Sequence, residues 1–322
     1  MHNFQETFQT VIVIISAITL FIYGLQSFSK EIQNIGVENL RKGIGKVTKL
    51  PLGGFFLGAG VTGVIQSSTL VSSLTVSLVS AGIITFADSI FILLGTNIGT
   101  TSTAWIVSFQ SAMFGPIFIV LGSLISMIPT KINVAGKSIF YFGFIFFSLT
   151  FISIAMEPIK NDPLLIKILA QATNPFLGII YGLVVTIVIQ SSSVVIGLVI
   201  VLISQGVLTL DAAIPIVVGA NIGTTSTALL VSMKLSAISK LTAFAGSMFN
   251  VVGVILIFPF FGMLYDFAQS VTDVPALQVA TAYTISNGFT SLFFLVFLKP
   301  TMNLLKRHKW YKQAVSESGH AL

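Results

Sequence analysis

From Leu50 to Ala87 the chain runs for 38 residues without a charged side chain, and the polar stretch Gln66-Ser67-Ser68-Thr69 sits near the middle of that run. A helix rising about 1.5 Å per residue needs about 20 residues to cross a hydrocarbon core of about 30 Å. The run is too long for one crossing and too short for two with a turn. The geometry that fits is a re-entrant hairpin over 51–80, two half-helices of about 20 Å each meeting at a polar tip. Non-helical backbone at that depth is tolerated where protein buries it or where it lines a cavity.

The tip does not occur once. Gln66-Ser67-Ser68-Thr69 returns 124 residues later as Gln190-Ser191-Ser192-Ser193, and Gly95-Thr96-Asn97-Ile98-Gly99-Thr100-Thr101-Ser102-Thr103 returns as Gly219 to Thr227. Laying 51–108 over 175–232 without a gap gives 29 identities in 58 positions, unbroken from Asn97 to Ala104. The identity is densest in polar residues, which are costly in hydrocarbon unless something uses them.

These features describe an all-α integral membrane protein of two inverted repeats, each with a re-entrant helical hairpin and an unwound transmembrane helix. The first repeat covers 1–130: a span at 10–28, an amphipathic interfacial helix at 29–50, the hairpin 51–80, a broken span 86–108 and a span 112–129. The second covers 131–262: a span 138–156, a hairpin 175–204, a broken span 210–232 and a span 240–262. An extra span lies at 278–298, within 263–298, and a basic tail at 299–322. Three crossings per repeat make the second copy inverted, as in many secondary transporters.

Only 8% of the 322 residues are charged, against about a quarter in soluble domains. The net charge of +6 falls in short loops and the tail, so it speaks to membrane orientation and not to nucleic acid. Counting Lys and Arg puts 14 inside and two, Lys160 and Lys167, outside. The amino terminus is then outside and the carboxyl terminus cytoplasmic. Letting each hairpin arm cross instead also gives 14 and two, with Lys131 and Lys137 outside, so charge fixes the ends without choosing between the models. The first apolar run has no preceding Lys or Arg and no cleavage site, and reads as a retained span. The tail places Trp310 and Tyr311 among its basic residues, the composition of an interfacial anchor. Cysteine is absent, which excludes disulfide and thiolate chemistry.

Two tips and two unwound spans brought together would build a neutral pocket. Half-helix amino termini suit an oxyanion, and amide, hydroxyl and carbonyl oxygens suit a hard cation such as sodium. The histidines, His2, His308 and His320, are all terminal, and Asp88 and Asp211 stand only at the mouths of the broken spans. A proton-driven carrier commonly relies on an intramembrane carboxylate or histidine, so sodium coupling is favoured. Nucleophilic catalysis by Ser67 or Ser191 lacks a base, so the chain is not read as an enzyme. Rival readings are a sodium-coupled carrier of another oxyanion, a dicarboxylate or sulfate, and a passive anion channel. The bland reading of Gly95/Gly99 and Gly219/Gly223 is close helix packing through G-x-x-x-G. Asn250 and Asn287, in later spans, read as packing hydrogen bonds.

The paired Gln-Ser-Ser-Ser/Thr and Gly-x-Asn-Ile-Gly-Thr-Thr blocks resemble those of the type II sodium-dependent phosphate cotransporter family, in a short bacterial-type form without the appended regulatory domain. The resemblance covers roughly residues 10 to 300. It implies sodium-coupled transport of inorganic phosphate, with sodium as coupling ion and no other cofactor. It places phosphate at Ser67, Ser68, Thr69, Ser191, Ser192 and Ser193, and sodium at Gln66, Asn97, Thr100, Thr101, Gln190, Asn221, Thr224 and Thr225.

Overall fold

The computed structural model describes residues 2–47, 52–109, 111–130 and 132–318. Lys49, Leu50, Pro51 and Lys131 lie outside these residues, as do the side chains of Arg41, Lys42, Lys46 and Trp310. Among the described residues every regular element is helical. In chain order they are α1 (His2–Val47), α2 (Gly53–Ile65), α3 (Ser68–Ser80), α4 (Phe86–Ser108), α5 (Phe114–Ser126), α6 (Ile132–Met156), α7 (Pro163–Ala170), α8 (Pro175–Ile189), α9 (Ser192–Ser204), α10 (Leu210–Ser232), α11 (Ala237–Ile257), α12 (Phe261–Val271), α13 (Pro275–Arg307) and α14 (Lys309–Ser318). Among the described residues six segments are long and apolar enough to cross a membrane: α1, α4, α6, α10, α11 with α12, and α13. The α7–α8 pair, bent by 111° at Asn174, would make a seventh.

The expected unwinding of the motif spans does not occur. Helix α4 runs unbroken through Gly95 to Thr103, and α10 through Gly219 to Thr227. The hydroxyls that suggested unwinding are satisfied inside the helix: Thr100 donates to the Thr96 carbonyl at 2.7 Å, Thr101 to Ile98 at 2.7 Å and Ser102 to Gly99 at 2.7 Å. Thr224, Thr225 and Ser226 repeat this in α10. The glycines serve close approach. A Cβ on Gly95 would lie 2.0 Å from the Phe55 carbonyl oxygen, and one on Gly219 2.1 Å from that of Ile179. From the other side, a Cβ on Gly58 of α2 would lie 2.2 Å from the Ile92 carbonyl oxygen, and one on Gly182 of α8 1.9 Å from that of Ile216. Two glycine-lined helix pairs, α2 with α4 and α8 with α10, therefore form the frame of each half, as small-residue packing in membranes allows.

Three further expectations change. The segment expected to span at 112–129 is a 13-residue helix, Phe114–Ser126, about 20 Å long and short of a 30 Å core. Gly115 and Gly122 let it lie directly on the backbone of α6 at Phe147 and Phe140. The first span and the amphipathic stretch are one continuous helix, α1, with no proline to end it. Tyr311, expected at the membrane interface, is buried with its ring 5.6 Å from that of Phe86. Helix α14 packs on α11 and α13 and sets the Tyr311 ring against the start of α4, an amino-terminal end closed by a capping box between Thr85 and Asp88.

The hairpin arms pack mainly on the motif helices, α2 on α4 and α8 on α10. Leu57 and Val61 of α2 and Leu70 and Leu74 of α3 line one apolar cavity between the first pair of arms. The duplicated elements also exchange partners. Ser68 and Ser72 of α3 face Asn221 and Thr225 of α10 across one cleft, while Ser193 of α9 reaches Thr103 of α4 at 3.4 Å.

Candidate functional site

Each tip is built the same way. Gln66 closes α2 in the left-handed region (φ 58°, ψ 30°) and Gln190 closes α8 there (φ 59°, ψ 24°). Non-glycine residues enter that region rarely, and strain of this kind clusters at functional sites. The next residue is extended and caps the following helix: Ser67 Oγ accepts from the Leu70 N–H at 3.3 Å, and Ser191 Oγ from the Val194 N–H at 3.4 Å. A Gln-Ser-Ser sequence therefore turns the chain in two residues and opens a new helix amino terminus, where N–H groups and the helix dipole favour an anion.

The two tips meet. Ser193 Oγ lies 3.5 Å from the Gln66 carbonyl oxygen, and Thr103 Oγ1 donates to Gln66 Oε1 at 2.7 Å. Gln66 Nε2 in turn donates to Ser102 Oγ at 2.8 Å and to the Gly63 carbonyl. The second tip differs. Gln190 is exposed, and its expected counterpart donor, Thr227 Oγ1, is buried without a hydrogen-bond partner. Thr62 and Thr186, matched positions one turn before each glutamine, are buried without side-chain partners in both halves. Gln66→Ala should therefore cost about 1–3 kcal/mol by removing the 2.7 Å acceptor of Thr103 and leaving it only the 3.4 Å contact with Ser193, whereas Gln190→Ala should stay within about 0.5 kcal/mol. Thermal unfolding of the purified variants measures this, and equal losses would refute the asymmetry.

Beside the tips lies a small cleft between α3, α4, α10 and α11, with a cavity volume of about 30 Å³. Of the residues expected at a site, Ser68, Asn97, Thr100, Asn221, Thr224 and Thr225 line it. Gln66, Ser67, Thr69, Thr101, Gln190, Ser191, Ser192 and Ser193 are not in its wall. Ser192 is buried at the tip, and Thr101 bonds back to its own helix. The sequence reading did not single out Ser72, Thr96 or Ser247, which also line the cleft. Ser72 and Thr96 pair with Ile196 and Ala220 in the duplication, so a search for repeated polar residues passes over them. Ser247 could have been found from helical spacing to Asn250, three residues on.

Asparagines hold the cleft together. Asn97 Nδ2 donates to Asn250 Oδ1 at 2.8 Å, and Asn250 Nδ2 to the Asn221 carbonyl at 3.0 Å. Asn221 Nδ2 donates to Asn287 Oδ1 at 2.9 Å, and the Tyr283 hydroxyl donates to Asn221 Oδ1. Asn250 is thus both a packing bond and a cleft residue. No group of three or more His, Cys, Asp or Glu side chains stands together among the described residues. The chemistry on offer is that of neutral hydroxyl and amide groups.

Similarity to known proteins agrees with this character. The uncharacterized protein YqeW of Bacillus subtilis (strain 168) is 28% identical over 292 residues, covering 90% of this chain and 94% of its own. The "Putative inorganic phosphate export protein YjbB" of Escherichia coli (strain K12) is 26% identical over 301 residues, 92% of this chain and 55% of its own. The human sodium-dependent phosphate transport protein 2B is 36% identical over 182 residues, 53% of this chain and 26% of its own. The chain therefore spans about half the length of YjbB and a quarter of that of 2B. No solved structure matches it. The sequence profile described as Na+/Pi-cotransporter matches residues 20–154 and 159–267, one match around each copy of the duplicated motifs. A multi-pass helical membrane protein with two such matches is a transporter and not an enzyme: this chain belongs to the Na+/Pi-cotransporter family.

Proposed function

We propose that the chain couples sodium to the movement of inorganic phosphate across the membrane. The observation that carries this is the joining of two duplicated tips at Gln66 and Ser193, next to a cleft lined by neutral oxygen and amide groups. Phosphate binds between the tips, at Ser67, Ser68, Thr69, Ser191, Ser192 and Ser193, against the amino termini of α3 and α9. Sodium binds at Gln66, Asn97, Thr100, Thr101, Gln190, Asn221, Thr224 and Thr225. Ser68 is the shared element, belonging to the first tip and to the cleft wall. The names of YjbB and 2B, which speak of phosphate export and of sodium-dependent phosphate transport, support the pairing of ligands.

The hairpins α2–α3 and α8–α9 are re-entrant and the two halves inverted. The 13-residue lengths of α2, α3 and α9 and the exchange of partners between halves favour that reading. Transport then follows from movement of hairpins and motif helices against the outer spans, with the strained glutamines as turning points. The amino terminus is outside and the carboxyl terminus inside, which needs an odd number of crossings. The long apolar helices among the described residues number six, and with α8 kept in its hairpin the seventh crossing falls to the α5 segment, a stretch shorter than the hydrocarbon core that local thinning of the bilayer accommodates. Because the chain has no cysteine, single cysteines near each end can be labelled with an impermeant maleimide in intact cells. Labelling of the amino-terminal site alone is expected; labelling of both or neither excludes opposed ends.

The deciding measurement is labelled phosphate uptake into liposomes holding the purified protein. Concentrative uptake is expected with an inward sodium gradient and not with potassium in its place. Flux indifferent to sodium would leave a passive channel, and flux of sulfate or a dicarboxylate without phosphate would replace the substrate on the same architecture.

A further inference from the structure

The cleft has a counterpart that is closed. The offset of 124 residues relates α3 to α9 and α4 to α10. The structure extends the pairing to α11 and α13 at an offset of 37, since Asn97 bonds Asn250 as Asn221 bonds Asn287. Under these two offsets three positions change character. Ser72, Thr96 and Gly246, in the wall of the open cleft, correspond to Ile196, Ala220 and Tyr283. All three counterparts are fully buried. The mate of the cleft is filled with side chains, and the largest of them is Tyr283.

We propose that the open cleft is a sodium site and that Tyr283 plugs its mate, so that the symmetric pair holds one cation rather than two. The inference rests on sodium as the coupling ion. A hydroxyl hydrogen aimed at an amide oxygen supplies the partial positive charge that a bound cation would supply. The Tyr283 hydroxyl does this at Asn221 Oδ1, while its ring takes up the volume. At Asn97 no phenol can take that role, because Gly246 stands where Tyr283 stands in the mate. Asn97, Thr100 and Asn250 then offer oxygens to an ion in a neutral cavity, the chemistry hard cations accept. Duplication built two sites, and one substitution per wall separated them into a binding site and a packed scaffold.

The test counts radiolabelled sodium ions bound per chain by the purified full-length protein, without phosphate. Gly246→Met should fill the open cleft and lower the count by one; Tyr283→Gly should empty its mate and raise the count by one. Gly246→Ala serves if the methionine variant does not fold. A Cβ at Gly246 meets only the mobile end of Leu93, at 3.1 Å from Cδ1, and the variant should weaken sodium binding on the order of tenfold, the scale of disturbances around a metal site. A count unchanged by Gly246→Met, with unchanged affinity in Gly246→Ala, overturns the inference while leaving sodium coupling intact. Loss of a bound ion in Tyr283→Gly overturns it equally. Absence of any bound sodium in the unmodified protein refutes the sodium reading itself, and the inference with it.

Discussion

Gly182→Ala should destabilise the protein by about 3 kcal/mol, the upper end of the usual range for overpacking, while Gly60→Ala should be neutral or stabilising by up to about 1 kcal/mol. The two glycines lie on matching hairpin arms, α8 and α2, and a rule based on helix propensity alone would favour alanine at both. Their surroundings separate them. A Cβ on Gly182 would lie 1.9 Å from the Ile216 carbonyl oxygen and 2.9 Å from the Ala220 N–H nitrogen, both backbone atoms that cannot rotate away. A Cβ on Gly60 meets nothing within 4 Å. The alanine at 182 must push α8 off α10, and with it the tip that ends at Gln190. Gly58→Ala, 2.2 Å from the Ile92 carbonyl oxygen, should behave like Gly182→Ala. Thermal unfolding in detergent, followed by loss of the monodisperse peak, ranks the three variants. A Gly182 variant as stable as the Gly60 variant would mean that the α8–α10 contact is looser than the structure has it.

The same contacts explain where the sequence misleads. Glycines and hydroxyls in one run suggest an unwound span, because both residue types weaken a helix in water. In a packed membrane helix both have other uses. Hydroxyls bond back to carbonyls three or four residues earlier, as Thr100 and Ser102 do, and glycines admit a neighbouring backbone. Spacing alone carries both interpretations. The tips were legible for the opposite reason: a polar triplet in the middle of an uncharged run of fixed length leaves the chain few places to turn. The length argument failed at 112–129, where apolar composition continues past the end of the helix. Eight of the fourteen expected site residues lie outside the cleft wall; among them Ser67 and Ser191 are committed to capping and Gln66 to Thr103. Residues without a repeated partner, Ser72 and Thr96, were hidden by the duplication that revealed the others.

Asn97→Ala should raise the sodium concentration for half-maximal phosphate uptake by at least about tenfold, equivalent to about 1.4 kcal/mol. Asn97 and its repeat partner Asn221 both line the cleft together with Ser68 of the first tip, so a cation bound there touches the element that holds phosphate. One feature sets Asn97 apart. Its amide is oriented by one bond, from Nδ2 to Asn250 Oδ1, whereas Asn221 is fixed by Tyr283 and Asn287 together. Removing Asn97 thus takes away a ligand and leaves Asn250 Oδ1 without its donor, so Asn250→Ala should reproduce much of the effect. The double variant should fall short of the sum of the two, as expected for residues in direct contact. Asn221→Ala should add a loss of stability to its loss of sodium affinity, by breaking bonds to α13 and taking the acceptor from Tyr283 in the core. Sodium activation curves and unfolding temperatures measured on the same preparations separate these effects. A sodium curve unmoved in Asn97→Ala would return that residue to packing alone and shift the cation to the oxygens around Gln66.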